Sequence, residues 1–166
     1  MAYLLDTNIF IQAKNLHYGF DFCPAFWDWL AQGNAAGNVF SIEQVGDELQ
    51  AGTDDLADWA AACGESFFLP PDATVLPALS QVSAWATSGN YTPAAVNTFL
   101  QVADYWLVAS ALAHGRTVVT HETPGGQGTK KIKIPDACVG LGIRVVTPFQ
   151  MLRNERARFI LGPTPA

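Results

Sequence analysis

The sequence predicts an α/β fold, a parallel sheet with helices on both faces. Three observations carry this. Short apolar or β-branched runs recur at residues 2–5, 39–40, 117–120 and 144–147. Helix signals, not tight hairpin turns, separate them, which is the pattern of parallel strands joined by crossover helices. Acids stand just past the ends of two of these runs, Asp6 and Glu122. Open α/β sheets place their chemistry at that edge.

The elements follow in order. The run Tyr3-Leu4-Leu5 reads as a buried strand, with a helix from about Asn8. Pro24 opens a second helix carrying Phe26, Trp27, Trp29 and Leu30, and Gly33-Asn34 closes it. Val39-Phe40 is a short strand. Ser41 reads as an N-cap with Gln44 as its capping-box partner, and that helix runs to Gly52. Thr53 caps the next helix, which ends at Gly64. Residues 67–69 form a strand or connector, and a helix covers about 72–88. Thr92-Pro93 is the clearest start signal, for a helix expected to run to about His114, before Gly115. After the strand at 117–120 come a Gly- and Lys-containing loop over 123–131 and a short helix from Pro135 to near Gly142. A last strand and a terminal helix over about 148–160 complete the chain.

With 166 residues, 49 % of them apolar and 14 % charged, the chain has a globular composition and enough length for one domain, residues 1–166. No apolar run approaches the roughly 20 residues that span a bilayer. The N-terminus lacks the flank and cleavage site of a signal peptide, so a cytoplasmic location without a membrane partner is expected. Cys23, Cys63 and Cys138 are far apart and lack metal-finger spacing, which reads as reduced thiols. His17, His114 and His121 form no metal-binding helix pair. The net charge of −6 excludes a nucleic-acid binder with a broad basic surface, but not a nuclease whose acids hold a cation.

Asp104 shares a helical face with Leu100, Gln101, Leu107 and Val108, so it is expected to point toward the core or a pocket. A buried carboxylate there needs a metal or a hydrogen bond. Glu48 lies at the edge of the apolar stripe Ile42, Val45 and Leu49, while Glu43 and Asp47 lie outside it. Read alone, Glu48 fits a solvated acidic face. Glu122 repeats the strand-end placement of Asp6. Asp136 competes with it, although a first-turn acid is also accounted for by the helix dipole. Asn8 and Thr120 could orient a carboxylate, a water or a phosphate oxygen, or serve ordinary turns. Lys130, Lys131 and Lys133 are the one dense basic cluster. Their loop lacks the Gly-Lys-Ser/Thr ending of a phosphate loop, which leaves a mobile grip on a nucleic-acid backbone or a solvated turn. Gly-x-Ser-x-Gly and Cys–His signatures are absent.

Leu4-Leu5-Asp6-Thr7-Asn8-Ile9-Phe10-Ile11 resembles the opening of PIN domains. Residues 41–49, with Val45 and Glu48, resemble their second acidic motif. Ala103-Asp104 with Val108-Ala109 and Ala111 resembles the third, and Val118-Val119-Thr120-His121-Glu122 the fourth. The resemblance implies a PIN-like three-layer α/β/α sandwich with a central parallel sheet. It also implies an Mg²⁺- or Mn²⁺-dependent endoribonuclease of the bacterial toxin type, with RNA as substrate and an antitoxin as partner. By position, Asp6, Glu48, Asp104 and Glu122 are the metal-site acids: Asp6, Asp104 and Glu122 hold metal, and Glu48 orients or deprotonates the attacking water. Two features depart from the family. Its fourth acid is usually Asp, and residues 132–138 are not a general PIN feature, which keeps Asp136 as an extra or substitute metal acid.

Two other readings compete with this one. A phosphatase with a phosphorylated Asp would show Asp-x-Asp, yet Asn8 stands two after Asp6. A PIN-like nucleic-acid or protein binding module without activity is the other. Trp27 and Trp29 are two apart on one helix and face different ways. An exposed one would mark an antitoxin or homodimer surface.

Overall fold

The computed structural model describes residues 1–125 and 128–162. Five strands form one parallel sheet: β1 (Tyr3–Leu5), β2 (Val39–Ile42), β3 (Phe68–Leu69), β4 (Thr117–Val119) and β5 (Val145–Val146). Their order is β3-β2-β1-β4-β5. Register pairs Leu4 with Phe40 on one side and with Val118 on the other. β1 is central, and Tyr3, Leu4 and Leu5 are fully buried, as a strand covered on both faces must be.

The helices are α1 (Thr7–Gln12), α2 (Pro24–Ala35), α3 (Glu43–Gln50), α4 (Asp55–Cys63), α5 (Val75–Ser88), α6 (Pro93–Leu100), α7 (Ala103–His114), α8 (Ile134–Leu141) and α9 (Pro148–Asn154). Right-handed crossovers put α1–α4 on one face of this strand order and α5–α8 on the other. The packing agrees: α3 meets α1 and α4, while α5 meets α7 and α8. This is the expected PIN-like architecture. No helix among the described residues is long and apolar enough to cross a membrane.

On the first face, Phe10, Trp59, Phe67 and Phe68 make one aromatic cluster, with Phe10 and Trp59 ring centroids 5.7 Å apart. Trp27 is buried, and its indole N–H donates to the Tyr18 carbonyl at 2.8 Å. Trp29 is half-buried against the same core. Trp27 is therefore not the exposed indole of the pair, and Trp29 keeps part of its surface outside the core. On the second face α8 closes tightly on α5. A side chain at Gly140 would have its Cβ 2.1 Å from the Trp85 ring nitrogen.

Several expected boundaries move. Ser41 is not a cap: it lies in β2, and its hydroxyl donates to the Leu5 carbonyl at 2.6 Å. Ile42 precedes α3 instead, without a side-chain cap. Asp54, not Thr53, caps α4, accepting the Ala57 amide at 3.0 Å. Gly33 and Asn34 lie inside α2, and the left-handed turn comes later, at Gly37 (φ 79°). The terminal helix stops at Asn154, ahead of Arg156 at φ 55°.

The largest change is a break in the helix expected from Thr92 to His114. Gln101 ends α6, and Val102 is extended (φ −114°, ψ 168°) before α7 begins. Neither glycine nor proline marks this break, so local propensity does not signal it. Leu100 and Gln101 therefore do not share a helix with Asp104, which instead sits in the first turn of α7.

Thr117 offers a stability test. It is 1 % exposed, and its hydroxyl has no hydrogen-bond partner among the described residues. Thr117→Val keeps the branched shape and removes an unpaired polar atom, so it should stabilise the protein by about 1 kcal/mol. Thermal unfolding should show a rise of about 2–4 °C. A lower melting temperature would mean that the hydroxyl contributes a bond.

Candidate active site

The strand order reverses between β1 and β4, with β2 and β3 to one side and β5 to the other. In open α/β sheets this switch point opens a crevice at the carboxyl ends of the strands. Asp6 stands there, just past β1, and Thr120 just past β4. The Asp6 amide still donates to the Val119 carbonyl at 3.0 Å, so the two strands stay paired up to the crevice.

A continuous chain of hydrogen bonds links three of the acids. The Thr7 hydroxyl donates to Glu48 Oε2 at 2.7 Å, and the Thr7 amide to Asp6 Oδ1 at 2.7 Å. The Thr120 hydroxyl donates to Asp6 Oδ2 at 2.9 Å and accepts the Glu122 amide at 3.1 Å. Glu122 Oε2 then accepts the Ile134 amide at the start of α8, at 2.7 Å. Thr120 thus has the orienting position expected of it. Asn8 is exposed on α1, and its neighbour Thr7 carries the contact to Glu48. The sequence places Thr7 between two expected site residues, but the reach from α1 to α3 is a tertiary fact.

Asp104 stands outside this chain and is tied to it by charge. Burial, and then the charges of Asp6, Glu122 and Glu48, push its pKa from 3.8 up to about 7, while Lys131 pulls it down. A carboxylate in the first turn of a helix is ordinarily stabilised by the helix dipole. Here burial and its acidic neighbours prevail. Asp6 is 3 % exposed, and burial raises its pKa to about 6, with Glu122 and Glu48 adding to the rise and the Thr120 bond opposing it. The charges of Glu48 and Glu122, from separate stretches of chain, therefore reach both Asp6 and Asp104. Glu48 itself is exposed.

Asp136 faces elsewhere. Its Oδ2 accepts the Gly125 amide at 2.9 Å, and its charge adds to the burial that raises the Tyr91 pKa. It serves as an anchor for the loop after β4. Lys130 and Lys131 line a cleft of about 390 Å³ together with Asp104. Lys133 does not line that cleft; it precedes α8 and packs its stem near Gly125. The basic loop is also fastened to the start of α6, where the Thr92 amide donates to the Thr129 carbonyl at 2.9 Å. Gly126 and Gln127, within the Gly-rich loop, lie outside the described residues. Beside the acids, the His121 ring stacks on His17 at 5.5 Å, and burial lowers the His121 pKa. Both rings pack against Phe149 as well.

The donor set is made of hard carboxylate oxygens, the chemistry that suits Mg²⁺ or Mn²⁺. The raised pKa values of Asp6 and Asp104 mark negative charge that a cation would offset. Among the described residues, no three His, Cys, Asp or Glu side chains are gathered into a metal cage.

A family model described as "Domain of unknown function (DUF4411)" matches residues 3–159. No curated protein matches the chain. Among solved structures, VapBC2 from Rickettsia felis, bound to a DNA fragment from its promoter, is similar at a TM-score of 0.54 and 17 % identity, over 89 % of this chain and 98 % of that one. FitAB bound to an IR36 DNA fragment is similar at 0.54 and 18 %, over 89 % and 95 %. FitAcB from Neisseria gonorrhoeae is similar at 0.51 and 20 %, over 89 % and 98 %. At such identities the likeness is one of fold.

Proposed function

The chain belongs to the DUF4411 family, and from that premise we propose that it is a divalent-metal-dependent endoribonuclease, the toxin of a toxin–antitoxin pair. One observation carries the reading. At the switch point of a PIN-like sheet, burial first and then the charges of Glu48 and Glu122 push Asp6 and Asp104 up to about 6 and about 7.

The residues divide the work as follows. Asp6, fixed by Thr120 and the Thr7 amide, is held in one orientation toward the crevice. Asp6, Asp104 and Glu122 would hold the cation, which when bound supplies charge to polarise the phosphate and to acidify an attacking water. Glu48, bonded to Thr7 beside Asp6, would orient that water or take its proton. Lys130 and Lys131 would supply positive charge beside the acids of a chain whose net charge is −6. An antitoxin-type protein is the proposed partner, in keeping with the DNA-bound VapBC2 and FitAB assemblies that share the fold.

The deciding experiment is cleavage of structured and unstructured RNA by the purified protein, with Mg²⁺ or Mn²⁺ and with chelator. Cleavage that requires the cation is expected, and metal-independent cleavage or none at all overturns the reading. A binding module without activity is the competing reading, favoured by the lack of a gathered three-ligand cage among the described residues. It predicts RNA or protein binding with no turnover under either condition.

Replacing Lys130, Lys131 and Lys133 together with Ala should weaken RNA binding and flatten its salt dependence. The loss is up to about 0.7 in log–log slope for each single-strand phosphate contact removed. Turnover at saturating RNA should change little, because such charges act equally on ground and transition states. An unchanged salt slope would leave these lysines as a solvated turn. Lys133 is expected to contribute least, since it stands off the cleft that Lys130 and Lys131 line.

A further inference from the structure

We propose that the cleft between α6, the start of α7 and the basic loop is a subsite for one unpaired nucleobase of a single-stranded nucleic acid. The inference rests on the nuclease reading of the acids and adds the form in which substrate is held. Val102, in the extended link between α6 and α7, lines a hollow of about 390 Å³ with Phe99 of α6 and Asp104 of α7. That volume suits a small ligand. It does not admit a paired double strand.

Its lining has the chemistry of a nucleotide. Ala95, Phe99, Val102 and Ile132 make it apolar. Phe99 and Ile132 are each 3 % exposed, so they form a fixed floor, while Val102 is 38 % exposed at the lip. Lys130 and Lys131 provide cations on the rim, and Asp104 joins the cleft to the acids. The Thr92–Thr129 backbone bond holds the lysine-bearing loop against the start of α6. A base against the apolar floor puts its flanking phosphates between the lysines and the acids. A bare phosphate or an acidic peptide would use the lysines and gain nothing from the floor. Single-strand binders combine cationic tracks with apolar or aromatic seats for bases in this way.

The test measures binding in chelator, where no cleavage occurs, to short RNA and DNA strands with and without one abasic position. Thr98 lines the cleft from an exposed position on α6, so Thr98→Trp fills the hollow from the surface. Val102→Asn is the second variant: it keeps a good helix-capping residue ahead of α7 while removing an apolar wall. Circular dichroism verifies that both fold. The parent should bind an intact strand about tenfold more tightly than an abasic one, for RNA, DNA or both. Thr98→Trp should bind both at the abasic level, and Val102→Asn should lose part of the preference. A parent indifferent to the missing base, or folded variants that keep the parent's preference, overturns the proposal. The two readings fail separately. Base preference lost in Thr98→Trp, in a parent that never cleaves, leaves the cleft and removes the nuclease. Cleavage with an unaltered preference in both variants removes the cleft alone.

Discussion

Asp104→Asn abolishes cation-dependent RNA cleavage and raises the melting temperature at neutral pH; both effects are expected from one cause. The carboxyl sits among Asp6, Glu122 and Glu48 in a partly buried position, and its pKa is pushed up to about 7. Asparagine keeps the shape and removes the charge. Loss of a metal-holding carboxylate should lower turnover by on the order of a thousandfold or more, since the cation supplies several kcal/mol to the transition state. Stability should move the other way. A pKa raised on folding means that the folded chain binds the proton more tightly than the unfolded one. Between about pH 4 and about pH 7, stability then falls as pH rises. The gain from Asp104→Asn is therefore full above about pH 7 and vanishes near pH 4. Discounted by half for the carboxyl's access to water, it is on the order of 2 kcal/mol, or about 4–8 °C. Paired melting curves at pH 8 and pH 4 check this. A variant that cleaves RNA as fast as the parent removes Asp104 from the mechanism, and equal melting temperatures at pH 8 would mean that the carboxyl carries no strain.

Mn²⁺ or Mg²⁺ should stabilise the parent protein, and more strongly at pH 8 than at pH 5. Asp6 and Asp104, at about 6 and about 7, are mainly ionised at pH 8 and mainly protonated at pH 5, so protons and cation compete for the same oxygens. At a hundred times its dissociation constant, a ligand specific to the folded state adds about 2.7 kcal/mol. For a chain of this size that is roughly 5–11 °C. Asp6→Asn should abolish the shift while preserving the fold, because asparagine caps α1 as well as aspartate does. A cation shift of equal size at both pH values, or one that survives Asp6→Asn, would place the binding elsewhere.

Much of this arrangement is legible along the chain. Asp6 and Glu122 stand out because Asp6 directly follows a buried apolar run and Glu122 stands two residues past a β-branched one, and the strands end at or within a residue of where those runs stop. Asp104 stands out as an acid among apolar neighbours, although the reason differs from the one the pattern offers. The expected long helix is two helices, and Asp104 opens the second. Glu48 lies at the edge of an apolar stripe and, read alone, fits a solvated acidic face; it is exposed. Its bond with Thr7 and its charge tie it to Asp6. Ser41 looks like a cap because a serine followed by Gln44 has the spacing of one. It is a strand residue because the Leu5 carbonyl beside it is the better partner.

The sequence by itself determines the α/β class, the parallel strands and which acids follow strand ends, because hydrophobic periodicity and strand-end chemistry are local properties. Tertiary structure alone decides the rest. The order β3-β2-β1-β4-β5 is a matter of which distant runs pair, and it makes the gap between β1 and β4 the crevice. The bonds Thr120 to Asp6 and Ile134 to Glu122 span 114 and 12 residues, and no local spacing encodes either. The break at Gln101 and Val102 carries no glycine or proline, so the packing of α7 sets it, not propensity. The raised pKa values of Asp6 and Asp104 follow from burial and from neighbours that only the fold brings near.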